Sequence, residues 1–342
     1  MKFRWCVIGA GGIADRRTIP AILEDDKSEL VAVMDKFPET AEKIGKKYGV
    51  KYFTDEAEML KNVECDAVYI GTPVFSHFNQ AMIALSFGKH VFVEKPIAMN
   101  ATEGEKLVKA FKEKGKMLCV GYMMKYHNLH EKAKEIVKED GIGAVNSVRA
   151  QFTCWYPDIP GAWRQNKALG GGGAIMDLGV HCIELLEDIL GEEIVDVKAF
   201  YNTKTFKYEV EDGAVVIFKT TSGVLGHIDV NFNIPDSAAN NPLEFYGTKG
   251  SIIAVGTLGQ EEGGTVKILA CPDVGGYDAK QSRSTVEPVE LKVDFGNMYT
   301  KEIDAFANAI INNTEPPVNG RNTLSVQKII DAVYNNGGGK IK

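Results

Sequence analysis

Phe3 to Ala14 read FRWCVIGAGGIA, an apolar run that passes straight into small residues before a helix-compatible stretch begins. The run predicts a buried strand, and Gly9-Ala10-Gly11-Gly12-Ile13-Ala14 matches the G-x-G-x-x-G/A turn that receives a dinucleotide pyrophosphate. Gly9 permits the tight turn, Gly11 lets backbone approach an anion, and Ala14 allows close helix–strand packing. The free N–H groups at the helix start attract negative charge. A glycine turn that binds nothing is the plain alternative. Against it, a second apolar run, ELVAVM, ends in Asp35, at the spacing of a carboxylate that hydrogen-bonds an adenosine ribose. That carboxylate favours NAD, because it repels the 2′-phosphate of NADP. Lys36, Arg16 or Arg17 could offset the repulsion, so NADP stays open.

Outward from this turn, AVYIGTP, HVFVEKP and MLCVGYM continue the apolar runs, with amphipathic stretches such as PETAEKIGKKYG and ATEGEKLVKAFKEKG between them. Near-continuous apolar strands suit a sheet covered on both faces, and helical crossovers make it parallel. Residues 1–122 are therefore expected to form a doubly wound Rossmann domain. Beyond it the rhythm changes to alternating, β-branched segments, including SVRAQFTCWY, GAVVIFKTT and GVLGHIDVNFN. Residues 123–342 are expected to form an α+β domain with a large open, mostly antiparallel sheet. One helix, about Ala174 to Leu190, interrupts the strands, and two at the C-terminus can pack back on the first domain.

Composition narrows the partners. The chain has 342 residues, 39 basic against 46 acidic, for a net charge of −7, which leaves no electrostatic footprint for nucleic acid or anionic membrane. No apolar run is expected to reach the roughly 18 residues of a bilayer span, and no signal-peptide layout precedes the first strand. A cytoplasmic protein with a small-molecule partner is expected. Six cysteines are scattered singly, without metal-ligand spacing. Of six histidines, the one close set, His127 with His130, has no clear third ligand, so no metal site is expected.

Two further segments carry chemistry. Gly71-Thr72-Pro73 and Glu94-Lys95-Pro96 end strands, and ligands in open α/β sheets bind at those ends. A lysine fixed between a strand end and a proline is a useful donor beside a nicotinamide. The second segment, GGGGAIMDLGVH from Gly170 to His181, pairs a possible phosphate cradle with a possible acid–base pair. Asp177 and His181 are four apart in a helical pattern and share a face. Without further context, a helix N-terminal acid and a packed histidine explain them equally well.

GAGGIA, Asp35, GTPVFSH, EKP, VGYMMKYH, AWR and GGGGAIMDLGVH occur in that order, and together they resemble the glucose-fructose oxidoreductase and inositol dehydrogenase family, written Gfo/Idh/MocA. The resemblance covers nearly the whole chain. It implies a Rossmann domain joined to an α/β domain whose open sheet forms a homodimer or homotetramer, and NAD(P)-dependent redox chemistry on sugars, inositols and related polyols. It assigns Lys95, Asp177 and His181 as catalytic, and places Thr72, Pro73, His77 and Glu94 along the cofactor. Lys125, His127, Trp163 and Arg164 fall where members contact substrate or nicotinamide. The match departs at Val74, where asparagine is common, and at Lys125, where arginine is frequent.

Those residues permit one mechanism in particular. His181, with the pKa range of a histidine, takes the hydroxyl proton while hydride leaves for nicotinamide, and Lys95 stabilises the alkoxide. Asp177 holds the sugar or tunes His181. The competing class is a non-catalytic NAD(P)- or sugar-binding sensor of the same fold, which fold alone does not separate from an enzyme.

Overall fold

The computed structural model describes residues 2–271, 275–277, 279–280, 286–316, 318–336 and 338–340. The chain forms two compact units, and neither is one continuous stretch. Unit one comprises Met1–Met123, Gly161–Gly172 and Asn297–Lys328; unit two comprises Met124–Pro160, Gly173–Gly296 and Ile329–Lys342. A single boundary near residue 122 therefore marks only the first crossing of the chain between them.

Unit one is built on six parallel strands: β1 (Phe3–Ile8), β2 (Ser28–Met34), β3 (Lys51–Phe53), β4 (Ala67–Ile70), β5 (His90–Glu94) and β6 (Leu118–Gly121). Their order, β3-β2-β1-β4-β5-β6, reverses direction between β1 and β4, which is where an open α/β sheet leaves a crevice at its strand ends. The crossovers carry α1 (Ile19–Glu24), α2 (Pro38–Tyr48), α3 (Glu56–Asn62), α4 (His77–Ser86) and α5 (Ala101–Glu113). Trp5, Cys6, Val7 and Ile8 are all fully buried, as a strand covered on both faces requires. Trp5 packs against Phe92 and Phe306, with ring centroids 6.4 and 5.6 Å away, and its indole N–H donates to Ser28 Oγ at 3.1 Å. Burying each such ring contributes about 1.5–3 kcal/mol. Two elements escaped the sequence reading, β3 and α3. β3 is a three-residue edge strand whose Lys51 and Tyr52 are exposed, so it carries no apolar run to detect.

The helix expected directly after the glycine turn starts differently from an ordinary α-helix. Ala14–Thr18 form a π-helical turn, and α1 begins only at Ile19. Pro20 explains the change: it has no N–H to give the carbonyl four residues back, and its ring crowds that carbonyl.

Among the described residues, unit two contains a nine-stranded sheet. Its strands are β7 (Val145–Thr153), β8 (Ile194–Asn202), β9 (Gly213–Thr220), β10 (Leu225–Asn231), β11 (Leu243–Gly247), β12 (Gly250–Val255), β13 (Thr265–Ala270), β14 (Val289–Glu290) and β15 (Gly338–Lys340). The order is β14-β13-β12-β11-β7-β10-β9-β8-β15, and only the β7–β10 pair is parallel. β9 shows why one face is open. Val216 and Phe218 point into the core while Val215, Ile217 and Lys219 point out, the period of two expected of a half-covered sheet.

Five further helices occur among the described residues: α6 (Asn128–Lys138), α7 (Lys167–Gly170), α8 (Val180–Leu190), α9 (Met298–Ile311) and α10 (Gly320–Asn336). α6 and α7 flank the expected central helix, which itself is a π turn, Ile175–Gly179, running into α8. The stretch Lys167–Leu190 also corrects the expectation that nothing is apolar enough to span a bilayer. By length and a mean hydropathy of 1.2 it qualifies. Its apolar character has a local cause, since 83% of that window is buried within the protein. α9, and α10 as far as Lys328, belong to unit one.

Candidate active site

In unit one the first glycine turn has the geometry its sequence implies. Gly9 adopts φ +78°, and a Cβ there would lie 2.6 Å from Thr72 Cγ2 and 2.9 Å from the backbone of Gly71, so only glycine fits without displacement. Gly12 also has positive φ, +55°, with open space around it. Gly11 N–H donates to Asp35 Oδ2 at 3.3 Å, and Asp35 Oδ1 accepts the Phe37 N–H at 3.0 Å. The acid that the sequence placed at the end of β2 thus stands beside the turn, nearly buried at 9% exposure. Ile13 is part-exposed, Ala14 is buried, and the Lys36 ammonium lies 4.9 Å from the Phe37 ring centroid. This cradle, with glycine required at one position and backbone open at another, fits a dinucleotide.

The neighbouring strand ends are tied to one another. Thr72 Oγ1 donates to Gln80 Oε1 at 2.6 Å, and Pro73 leads into the short turn Val74–Ser76. Val74 is buried, so the side chain that replaces the expected asparagine serves packing. His77 is buried with both ring nitrogens on backbone carbonyls, Nδ1 2.9 Å from Pro96 O and Nε2 2.9 Å from Thr72 O. His77, which the resemblance places along the cofactor, is thus also a strut between two loops. Burial lowers its pKa, while the two carbonyls favour protonation.

Glu94 accepts a 2.6 Å hydrogen bond from the Tyr69 hydroxyl. Burial pushes its pKa up; Tyr69, Lys95 and Arg164 pull it down. Lys95 is therefore held from both sides, by the anchored Glu94 before it and by Pro96, gripped by His77, after it. Trp163 and Arg164 form a 3-10 turn in the same unit, with the guanidinium carbon 4.3 Å from the indole centroid. The positive charge of Arg164 acts on both Glu94 and His77. Thr72, His77, Glu94, Lys95 and Arg164 are thus gathered at one end of the sheet.

In unit two, Asp177 and His181 lie on the segment that joins the π turn to α8. From residue 172 to 186 every residue is buried except Asp177, and His181 retains 5% exposure. The His181 ring meets Phe152 edge-on, centroids 6.3 Å apart. Within that buried stretch the one part-exposed residue is therefore Asp177, one turn from the histidine.

Two other nominated residues are engaged structurally. Lys125 pairs with Asp188 at 2.5 Å and Glu184 at 3.8 Å, and Lys134 reaches Asp188 at 2.8 Å. Glu184, one turn beyond His181, is pushed up to about 8 by burial, with Lys125 opposing. His127 caps α6: its Nδ1 accepts the Leu129 N–H at 3.1 Å, and its Nε2 lies against the Gly263 backbone, 3.0 Å from the carbonyl oxygen and 3.1 Å from the amide nitrogen. His130 stacks 4.6 Å away and is lowered to about 3, by burial and then by His127. Among the described residues no three His, Cys, Asp or Glu side chains are grouped to hold a metal.

The glycine run before Asp177 is not a phosphate cradle. Glu211, which the sequence did not single out, fills its anion position: both carboxylate oxygens lie 3.0 Å from Gly173 N, and Oε1 also accepts Ile175 N–H at 2.9 Å. The only hint in the sequence is the acidic pair Glu211-Asp212 at the entrance to β9.

Comparison with known proteins agrees with this architecture. Residues 3–122 match the model of the oxidoreductase family NAD-binding Rossmann fold, and residues 130–253 match the GFO/IDH/MocA C-terminal domain. The chain is 28% identical over 319 residues to 1,5-anhydro-D-fructose reductase of Ensifer adhaerens, covering 93% of this chain and 91% of that one. It superposes on the aldose-aldose oxidoreductase of Caulobacter crescentus, solved with glycerol, with a TM-score of 0.87 at 25% identity and 98% of both chains covered. It also superposes on KijD10, a 3-ketoreductase from Actinomadura kijaniata solved with NADP and TDP-benzene; the TM-score is 0.85 at 25% identity, with 98% of this chain and 97% of that one covered. With its two domain models matched in order and its relatives named as reductases, this chain belongs to the GFO/IDH/MocA family of NAD(P)-dependent oxidoreductases acting on sugar-related compounds.

Proposed function

We propose that this enzyme transfers hydride between a nicotinamide cofactor and a secondary alcohol or ketone of a sugar, inositol or related polyol, with Lys95 and His181 as its acid–base groups. The observation that carries the reading is the fixation of Lys95 between a carboxylate clamped by Tyr69 and a proline clamped by His77. A surface lysine has no need of such anchoring. The bound cofactor supplies the hydride acceptor or donor. In the oxidative direction His181 takes the hydroxyl proton, and Lys95 hydrogen-bonds and stabilises the developing alkoxide. Asp177, the open polar position on the same helix, orients the substrate or tunes His181. In the reductive direction the proton moves the other way, from His181 or Lys95 to the carbonyl oxygen. Trp163 and Arg164 offer an apolar face and a fork of donors to a sugar ring.

Nicotinamide absorbance with inositols, aldoses, anhydro-sugars and 3-keto sugars, both cofactors and both directions, tests this assignment. Absence of turnover across the panel, with cofactor bound, would favour the sensor reading instead.

The cofactor reading favours NAD, because the Asp35 carboxylate stands beside the glycine turn and would repel a 2′-phosphate there. Asp35→Ala is expected to weaken NAD binding by about tenfold and to bring NADP within a few fold of it, as removal of a charged hydrogen-bond acceptor implies. Titration of both cofactors against wild type and variant checks it; a wild type that already prefers NADP refutes it.

The open face of the large sheet carries Phe200, Val215, Ile217 and Leu225 at 89, 46, 53 and 60% exposure. We assign it to a second copy of the chain in a cytoplasmic homodimer or homotetramer. Light scattering should show a dimer or tetramer that Ile217→Asp with Leu225→Asp reduces to a monomer, and a wild-type monomer at micromolar concentration would refute the assignment.

A further inference from the structure

The start of the central helix in unit two is governed by one distant residue. A helix N-terminus exposes N–H groups that need acceptors, and its positive end favours an anion. Here three consecutive groups go to Glu211. Gly173 N–H and Ile175 N–H reach its carboxylate at 3.0 and 2.9 Å, and Ala174 N–H reaches its backbone oxygen at 3.1 Å. A fourth donor, the Tyr334 hydroxyl from α10, reaches Oε1 at 2.7 Å. Gly173 is required by this packing, since a Cβ there would stand 2.0 Å from Glu211 O. The π turn continues directly from the tethered residues, and Asp177 N–H donates to Gly173 O at 3.0 Å.

We propose that Glu211, held by Tyr334, is a positioning residue that fixes the register and tilt of the segment bearing Asp177 and His181, acting as an internal anion where the glycine run would otherwise receive a ligand's. The inference rests on the reading that Asp177 and His181 do the chemistry. Its chain of contacts runs from Tyr334 through Glu211 and Gly173 to the backbone of Asp177. Burial raises the Glu211 pKa, and Tyr334 with the amides of Ile175 and Gly173 draws it back toward ionisation. Asp212, the next residue, shows what a purely structural neighbour does. Its carboxylate accepts the N–H groups of Lys204, Thr205 and Phe206 at 3.0, 2.7 and 3.0 Å and anchors a loop.

Glu211→Gln keeps the shape but loses the charge and one acceptor. Expected are a kcat lower by roughly ten- to hundredfold, the scale set by small misplacements of reacting groups, a dinucleotide Kd within about twofold of wild type, and amide hydrogen exchange at 173–175 faster by about tenfold or more. Tyr334→Phe should move kcat and exchange in the same direction by a few fold. Asp212→Asn should lower the melting temperature while kcat stays at the wild-type value. Wild-type kcat with slow exchange in Glu211→Gln overturns the proposal, as does a kcat loss in Asp212→Asn equal to that in Glu211→Gln. Should Glu211→Gln fail to fold, an unchanged kcat and exchange in Tyr334→Phe overturns it. The exchange measurement separates this idea from the catalytic reading: if His181→Ala turns over normally, the chemistry assigned to the helix fails whatever Glu211 does to its amides.

Discussion

His181→Ala is expected to lower kcat by about 10²–10⁴-fold, the usual contribution of a positioned general base, with dinucleotide Kd within about twofold of wild type. The separation of effects follows from where the residue sits. The proposed dinucleotide contacts, the glycine turn and Asp35, lie in unit one, whereas His181 is on the central helix of unit two. A buried imidazole also packs against Phe152, so truncation costs stability, about 1–3 kcal/mol for a residue of this burial. Thermal melts should therefore accompany the kinetics. A folded variant within about threefold of wild-type kcat would remove histidine from the reaction.

Lys95→Met should lower kcat by about 10²–10³-fold, the scale of losing one preorganised donor to a developing oxyanion. A second, independent signature comes from Glu94. Lys95 is one of the charges that pull the Glu94 pKa down against burial, so its loss leaves that carboxyl still higher. A raised carboxyl pKa means the native state holds its proton more tightly than the unfolded chain does. Stability then falls as pH rises from the unfolded value, about 4.3, through the folded one. The variant should lose melting temperature more steeply than wild type over that window, and a parallel pair of curves would show that Lys95 does not act on Glu94.

What the sequence disclosed and what it concealed separate along physical lines. The Rossmann strands were legible because a parallel sheet buried on both faces writes itself as uninterrupted apolar runs, as in Trp5 to Ile8 and Ala67 to Ile70. β3 was not, because an exposed edge strand needs no such run. Residues at strand ends, Thr72, Lys95 and their neighbours, were nominated from local context. Their anchors were not: Tyr69 meets Glu94 across 25 residues, Glu211 meets Gly173 across 38, and Tyr334 meets Glu211 across 123. Only tertiary register brings those together. Both π turns were also invisible, since one extra residue per turn barely alters an apolar periodicity of 3.6. The partners of Lys125 were hidden in the same way, since its ammonium meets two carboxylates of α8 about 60 residues on.

β5 carries a constraint on length as well as on composition. Phe92 stacks on Tyr69 with centroids 5.9 Å apart, and Glu94, two residues on, takes the hydroxyl of that same tyrosine. Val91 and Val93 therefore belong to the opposite parity, and the strand ends at Glu94, directly before Lys95. Deleting one residue between His90 and Glu94 would do more than shorten a strand: it would turn the Glu94 carboxylate to the face away from the Tyr69 hydroxyl. That strand has a reading frame of two, so viable changes of length in this segment come in pairs.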